Sequence, residues 1–501
     1  MTPRDRTLDL RIDGAAPPAA LAGAACGAFV RQVLNAPALA EVSFADPDLA
    51  QAGALRIGAT LSLALRSGAE LFDGEITAVE HEVDGAGGRI LRVRAYDRLH
   101  RLRKRQRTRA ITDVALGDLV DEAAAFVGVG ASTPGGAPRR PLVIQHDQSD
   151  LELLVELAGD CGKYVFISHG VLQACTLAGV GEEALPLRLG RELLSGRAVA
   201  SAESLRRSTA TRAWDTSRVA TLEGAASLAS QDAEEIRDSG LAAFEGLGER
   251  TLVDRLSADA AEAEALAQAD LDRAAAGQVV LEAVANGDPR LRPGRLVALE
   301  GLGEAVDGRI CVTRATHLFD EVCGYVVELG SEVPPRTVRE RGTAATLARV
   351  TDADDPDGLS RVRASLPTYG DVQTGWMPVV IMGAGASKGI AVLPEPGDDV
   401  LVLFPDGDPS RGLVLGGLYG ERASPGPRRG SGARGFTVRT PGGQCLTLAS
   451  GQALARLETS AGDIFELGPE GTRLTATQDL LIEAPGRRLI IRADAVEFER
   501  G

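Results

Sequence analysis

The chain is poor in the residues that most catalytic and metal chemistry requires. Its 501 residues contain five histidines, at positions 81, 100, 146, 169 and 317, scattered without metal-ligand spacing. Six cysteines (Cys26, Cys161, Cys175, Cys311, Cys323, Cys445) form no CxxC pair and have no histidine set nearby, so free buried thiols are expected. A Cys311–Cys323 hairpin bridge, or a three-thiolate site made by Cys445 in a threefold assembly, is the alternative left open. There is no P-loop and no HExxH. Aromatic residues are only 4% of the chain, so large core anchors are few. Basic residues are outnumbered, 54 against 70 acidic, for a net charge of −16. That balance argues against nucleic acid as a partner, because phosphate binding rests on Lys and Arg. No segment reaches 18 apolar residues, so no membrane-spanning helix is expected. The opening stretch MTPRDRTLDLRIDG has no signal-type apolar core, and the expectation is synthesis in the cytoplasm without a leader.

What is abundant is glycine, 59 residues, and short alternating runs. This favours a mainly β chain of three or four domains. Strands are expected at Leu8–Ile12, Glu41–Phe44, Leu61–Leu65, Leu71–Glu80 and Ile90–Tyr96, with turns at Asp73-Gly74 and Asp84-Gly85. A helix is expected over Val114–Val127, capped by Thr112 or Asp113, and another opening at Ser149-Asp150. The Ala/Glu/Asp-rich stretch Ser257–Ala276 reads as a third helix, with Ser257 as its cap. Strands return at Arg295–Glu300, Arg309–His317 and Tyr325–Leu329. Residues 336–346 read as a linker, 347–421 as a barrel and 422–434 as a second linker.

From 435 to 501 the pattern changes. Apolar pairs recur at Leu446/Leu448, Ala455/Leu457, Phe465/Leu467, Leu474/Ala476, Leu480/Ile482, Leu489/Ile491 and Val496/Phe498. Period-two alternation marks strands with one buried face. Runs this short and this regular point to a β-helix or solenoid. One copy has too little sequence to bury its own faces, so several chains wound round one axis are expected. Leu446, Leu448, Phe465, Leu467, Leu474, Leu480, Ile482, Leu489 and Ile491 are the candidate core of that rod. Its acidic residues lie mostly out of phase with them, as solvent-facing residues should.

The barrel carries 5 Lys+Arg against 11 Asp+Glu between Thr343 and Glu421, the wrong sign for a nucleic-acid platform. The acidic turn Asp352–Asp357 faintly suggests calcium, but the EF-hand position 12 is Arg363. The run Arg101–Arg109 has six basic residues in nine, read as a solvated face or a contact to an acidic neighbouring subunit.

The barrel residues carry a recognisable pattern: Trp376-Met377-Pro378-Val379, then Pro394-Glu395-Pro396-Gly397-Asp398-Asp399-Val400, Phe404, Gly407-Asp408, and Gly416-Gly417-Leu418-Tyr419. It resembles the baseplate-spike OB domain of contractile phage tails and of VgrG, the type VI secretion spike. Tyr96-Asp97-Arg98-Leu99-His100 and the Gln145–Gly162 stretch are similar to the phage tail-hub domain. The subtype that it resembles most is the spike of extracellular contractile injection systems, since no lysozyme insertion or trailing effector domain is present.

The resemblance implies a tail-hub domain over 1–335 with two β-barrels and a few helices, an OB-fold domain over 347–421, and a trimeric β-helix over 435–501. It implies a homotrimeric structural protein rather than an enzyme, without cofactor. The hub would meet a hexameric inner tube protein, other baseplate proteins would surround it, and effector cargo would be an added partner. A PAAR-repeat-like tip protein would dock on Val496, Phe498 and Arg500. The OB residues Trp376, Pro394, Gly397, Asp398, Val400, Phe404, Gly407, Asp408, Gly416 and Tyr419 would be structural. The rival expectation is a β-helical tailspike enzyme acting on polysaccharide or cell wall, which needs paired carboxylates in a groove.

Overall fold

The computed structural model describes residues 8–48, 50, 52–180, 183–230, 247–320, 324–336, 342–386, 388–420 and 435–499. The chain is mainly β and divides into two compact units, Met1–Gly417 and Leu418–Gly501. Among the described residues no helix is long and apolar enough to cross a membrane. Cys323 lies outside the described residues; Cys26, Cys161, Cys175, Cys311 and Cys445 are free thiols, of which Cys175, Cys311 and Cys445 are buried, whereas Cys161 is half-buried and Cys26 exposed, contrary to expectation.

Alternation builds the first unit. In Leu39–Ala45 the buried residues are Ala40, Val42 and Phe44; in Thr60–Leu65 they are Leu61, Leu63 and Leu65. Strands of this kind pair antiparallel into one ten-stranded sheet. Its spatial order is Leu8–Ile12, Thr60–Leu65, Glu70–Val83, Arg89–Tyr96, Leu39–Ala45, Ala25–Val33, Arg314–Asp320, Gly324–Gly330, Val279–Asn286 and Leu193–Ala200. The sheet closes over long sequence distances, with Gly27 opposite Asp320 and Val33 opposite Arg314. Phe44, Leu61, Leu63, Leu71, Ile76 and Leu91 lie in its apolar core.

A helical layer interrupts the sheet. The helix Asp150–Asp160 starts where expected: the Ser149 hydroxyl accepts the Glu152 N–H, and the Glu152 carboxylate accepts the Ser149 N–H at 2.7 Å. The preceding helix begins later than expected, at Leu116 rather than Val114. Val114 instead ends the strand Arg109–Val114, which pairs with Arg140–Gln145. The cap is then supplied from inside, by Asp118 accepting the Ala115 N–H at 2.9 Å. The third helix, Ala260–Ala276, is capped by Asp259, not Ser257. Asp259 accepts the Glu262 N–H at 2.8 Å, while the Ser257 hydroxyl donates to the Asp259 carbonyl. This helix lies against Ser208–Asp215 and Ala220–Ala226. Gly224 permits the approach, because a Cβ there would strike the backbone of Ala263 and Glu264.

The OB barrel is a sheet of Val372–Gln373, Arg361–Leu366, Ala344–Asp352, Asp399–Phe404 and Leu413–Leu418, with Met377–Pro378 added against Arg361–Leu366. Val350, Val362, Leu366, Val400, Val402 and Phe404 fill it.

A buried ionic cluster ties this barrel to the elements before it. Glu262, on the third helix, is 3% exposed. Both of its oxygens accept from Arg411 of the barrel at 2.9 Å, and Arg140 lies 3.3 Å away. Arg140 also meets Asp160 at 2.9 Å, and Asp160 holds Arg336. Burial pushes the Asp160 carboxyl up, but Arg140 and Arg336 outweigh it and hold it below the usual carboxylate range. Glu262→Ala is expected to lower the stability of this unit by about 3–5 kcal/mol, because it strands buried cations. Glu262→Gln, which keeps an acceptor, is expected to lose less. The midpoint of urea unfolding checks both; an unchanged midpoint for the alanine variant would show that water already screens the cluster.

Candidate functional site

The second unit is a single five-stranded antiparallel meander: Gly435–Arg439, Cys445–Ala449, Leu454–Glu458, Ile464–Gly468 and Gly471–Thr475. Its register lines up side chains across every strand. One row runs Val438, Leu446, Leu457, Phe465, Leu474. A second row, two residues along and so on the same face, runs Phe436, Leu448, Ala455, Leu467, Thr472. The opposite face carries Thr437, Thr447, Arg456, Glu466 and Arg473. Arg456 bridges Glu458 and Glu466, both at 3.2 Å. The apolar face is bare: Leu448 is 44% exposed, Phe465 44% and Leu474 55%. Five of the nine expected rod-core residues, Leu446, Leu448, Phe465, Leu467 and Leu474, therefore lie together on one exposed face.

The other four, Leu480, Ile482, Leu489 and Ile491, follow the meander and are more than half exposed. Among the described residues 476–499 no strand forms, although alternation suggests three. The reason is physical: a strand needs a neighbour for its N–H and C=O groups, and among the described residues this stretch has none. Asp463 anchors its start by accepting the Thr477 N–H at 2.8 Å. Val496 and Phe498 are exposed, Phe498 at 94%. Arg500 lies outside the described residues.

The OB residues each have a local task. Val400 and Phe404 are fully buried, Pro394 is buried, and Trp376 is half-buried beneath the Arg363 guanidinium at 4.7 Å. Gly397, at φ +94°, turns the chain so that its N–H reaches the Val350 carbonyl at 2.8 Å. Asp398 closes the same turn by accepting the Glu395 N–H. Gly407, also at positive φ, leads into Asp408, which accepts the Ser410 N–H and hydroxyl and stands 3.5 Å from Arg411. Gly416 lies in the last strand, and Tyr419 is 54% exposed. The stretch Gly385–Gly389 has the G-x-S-x-G spacing, but it sits in a loop rather than between a strand and a helix. Its Ser387 lies outside the described residues.

Several charged motifs prove internal. Asp355 accepts the Leu359 and Arg361 N–H groups and two guanidinium bonds from Arg361, at 2.9 and 2.6 Å. Arg361 thereby holds its carboxyl well below the usual range. Four of the six basic residues in the run Arg101–Arg109 are paired within the chain, while Arg103 and Lys104 are exposed. Arg101 pairs with Glu75, Arg105 and Arg107 with Asp150, and Arg107 and Arg109 with Glu122 at 2.9 and 2.8 Å.

Residues 65–321, which are 257 of the 501, match the Alg8 N-terminal domain, and residues 346–419 match the type VI secretion system/phage-baseplate injector OB domain. The first of these models spans just over half of the chain, and the second assigns the barrel at 346–419 to the injector OB-domain family. The fold of the chain is similar to the E. coli c3393 protein, a component of the type VI secretion system described as similar to the T4 tail proteins gp27 and gp5. That match has 15% identity and a TM-score of 0.54, covering 82% of this chain and 99% of the other. A chain of the Francisella PdpA-VgrG complex in its half-lidded form matches at 8% identity and TM-score 0.54, covering 93% and 87%. The lidded form gives TM-score 0.54 at 8% identity, covering 95% and 81%. No curated protein matches the chain.

Sequence reasoning missed the residues that lock the OB barrel in place, Glu262 and Arg411, which are 149 positions apart. Only the motif neighbour Asp408 signalled that turn. It did single out Asp97, in the Tyr96–His100 stretch. Asp97 is 4% exposed and accepts the Ala38 and Leu99 N–H groups, each at 3.0 Å. Burial outweighs those bonds and pushes its carboxyl up to about 7. An unfolded aspartate ionises near pH 4 (roughly). Between the two values the folded protein keeps a proton that the unfolded chain has released, so this group's contribution to stability falls as pH rises from about 4 to about 7. Asp97→Asn is expected to flatten the wild-type dependence of melting temperature on pH across that window. Parallel curves for the two proteins would sink the assignment.

Proposed function

We propose that the spike works as a homotrimer that joins the inner tube of a contractile particle to its membrane-piercing tip. The observation that carries this reading is the bare apolar face of the C-terminal meander. Two rows, made of Leu, Val and Phe apart from Ala455 and Thr472, cross all five strands, and among the described residues nothing covers them. A single-layer sheet of this kind is marginal alone. Three copies round a threefold axis would bury the three faces on one another and give residues 476–499 the neighbours they lack.

In this reading residues 1–335 are the hub that meets a hexameric tube protein. Residues 347–421 form the OB collar, and residues 435–501 wind into the rod. A separate conical tip protein, of the PAAR-repeat kind, caps the rod at Val496, Phe498 and Arg500. Baseplate proteins surround the hub, and effector cargo rides on the spike; the relative solved in a complex with PdpA supports further proteins on such a body. The particle is assembled from a cytoplasmic product. The work is mechanical and not catalytic. The meander's facing carboxylates, Glu458 and Glu466, are both held by Arg456, where a glycosidase reading needs a free pair in a groove.

Full-length spike is expected to run as a trimer in size-exclusion chromatography with light scattering, and the chain lacking residues 435–501 as a monomer. Phe465→Asp is expected to disrupt the trimer in the same way, since a charge buried in every copy costs several kcal/mol each. A tight trimer from the truncated chain would overturn the reading. Removal of Val496–Gly501 is expected to leave the trimer intact and abolish co-purification of the tip protein. If the tip still binds, it docks elsewhere.

A further inference from the structure

The hub contains a cleft that its role as a connector does not use. It has a volume of about 440 Å³ and adjoins a second space of about 150 Å³. That size is within the range of small-molecule pockets. Its walls include Phe166, Val171, Val180 and Pro293, so much of it is apolar. Two arginines enter those walls without an ion pair. Arg292 is 7% exposed; its Nε donates to the Pro289 carbonyl at 2.8 Å and one terminal nitrogen donates to the Glu70 carbonyl. Arg295 buries its Nε with no hydrogen-bond partner. Among the described residues no carboxylate lies within ion-pair distance of either. By contrast Arg290, on the same loop, is closed off by Asp288 at 2.7 Å.

His169 also lines the cleft, where burial and the neighbouring Arg292 hold its imidazole below the ordinary range and favour the neutral form. It stands at φ +49°, a conformation that a residue with a Cβ adopts at some cost, with Nδ1 3.1 Å from the Ser168 hydroxyl. In the adjoining space the Oε1 of Gln32 is buried without a partner. Buried charge is normally paired, and buried polar atoms are normally bonded. Here both rules are broken at one place, beside a cavity large enough for a ligand.

We propose that this cleft binds a carboxylate carried on an apolar body, with the Arg292 and Arg295 guanidinium groups holding the carboxylate and Phe166, Val171 and Val180 enclosing the rest. A guanidinium offers two parallel N–H groups to a carboxylate, which favours that anion over a spherical one. The Glu70 side chain is the nearby opposing charge; it is exposed and makes no ion pair with Arg292. It would weaken any bound anion.

The test uses the full-length spike and four probes in ligand-detected NMR and calorimetry: hexanoate, 1-hexanol, hexylamine and N-acetyl-Leu-Leu with its free carboxyl end. Hexanoate is expected to bind and hexylamine not, with hexanol weaker than hexanoate by about tenfold. Arg292→Gln is expected to reduce hexanoate affinity by about tenfold, with circular dichroism checking the fold. Because Arg292 also braces two carbonyls, Arg295→Gln provides an independent reading, with a loss in the same direction. Glu70→Gln is expected to raise the affinity for hexanoate and leave that for hexanol unchanged. Tighter binding of the dipeptide than of hexanoate would assign the site to a chain end; the reverse would assign it to a free acid. No hexanoate binding, equal binding of hexanol, or affinity indifferent to Glu70→Gln and Arg295→Gln would each overturn the proposal.

Discussion

One buried carboxylate joins three parts of the first unit. Glu262 sits at the first turn of its helix, where an anion is already favoured by the unpaired N–H groups. From there it receives a guanidinium from Arg411 in the OB barrel and approaches Arg140 in the strand before Asp150. Such clusters are poor sources of net stability, because dehydrating the charges offsets most of their attraction. Their value is specificity. Only one placement of the barrel satisfies Glu262, Arg411 and Asp408 together, whereas apolar surfaces tolerate sliding. Strand alternation builds each sheet of the unit, and the ionic cluster fixes which element meets which.

The second unit follows the opposite design. Its five strands have correct register, a polar face neutralised by Arg456, and an apolar face with no lid. Where the first unit finds its core within its own chain, this one has only half of a core. A face of this kind is a liability in water, and it persists in a working protein only if other copies or partners cover it.

The sequence announced these two designs unequally. Alternation placed seven of the ten strands of the large sheet, since period two is imposed by the backbone itself, and missed Ala25–Val33, Leu193–Ala200 and Val279–Asn286; Ser149-Asp150 marked its helix start because the cap is local. The caps at Ala115 and Asp259 were misread where two acceptors compete within a few residues and the strand that ends first decides. The Glu262 cluster was not legible, because nothing local distinguishes one glutamate in an Ala/Glu-rich helix from its neighbours. Alternation in residues 480–498 was legible as a pattern with a buried side. It does not say which chain supplies the other side, and the single chain leaves those strands unformed. The cleft at Arg292 gave no signal at all, since an unpaired arginine is defined only by what fails to surround it.

The ten-stranded sheet has a consequence for the timing of synthesis. Ala25–Val33 takes one neighbour from Leu39–Ala45, nearby in the chain, and the other from Arg314–Asp320. At about 5–20 residues per second, the roughly 300 residues between the two partners take of order 15–60 s to make. Through that interval the nascent sheet exposes an open edge and half of its apolar core. The C-terminal meander pairs only consecutive strands and can zip as it leaves the ribosome. The order of chain growth therefore makes closure of the ten-stranded sheet the slow step and leaves the last strands to form after it is closed.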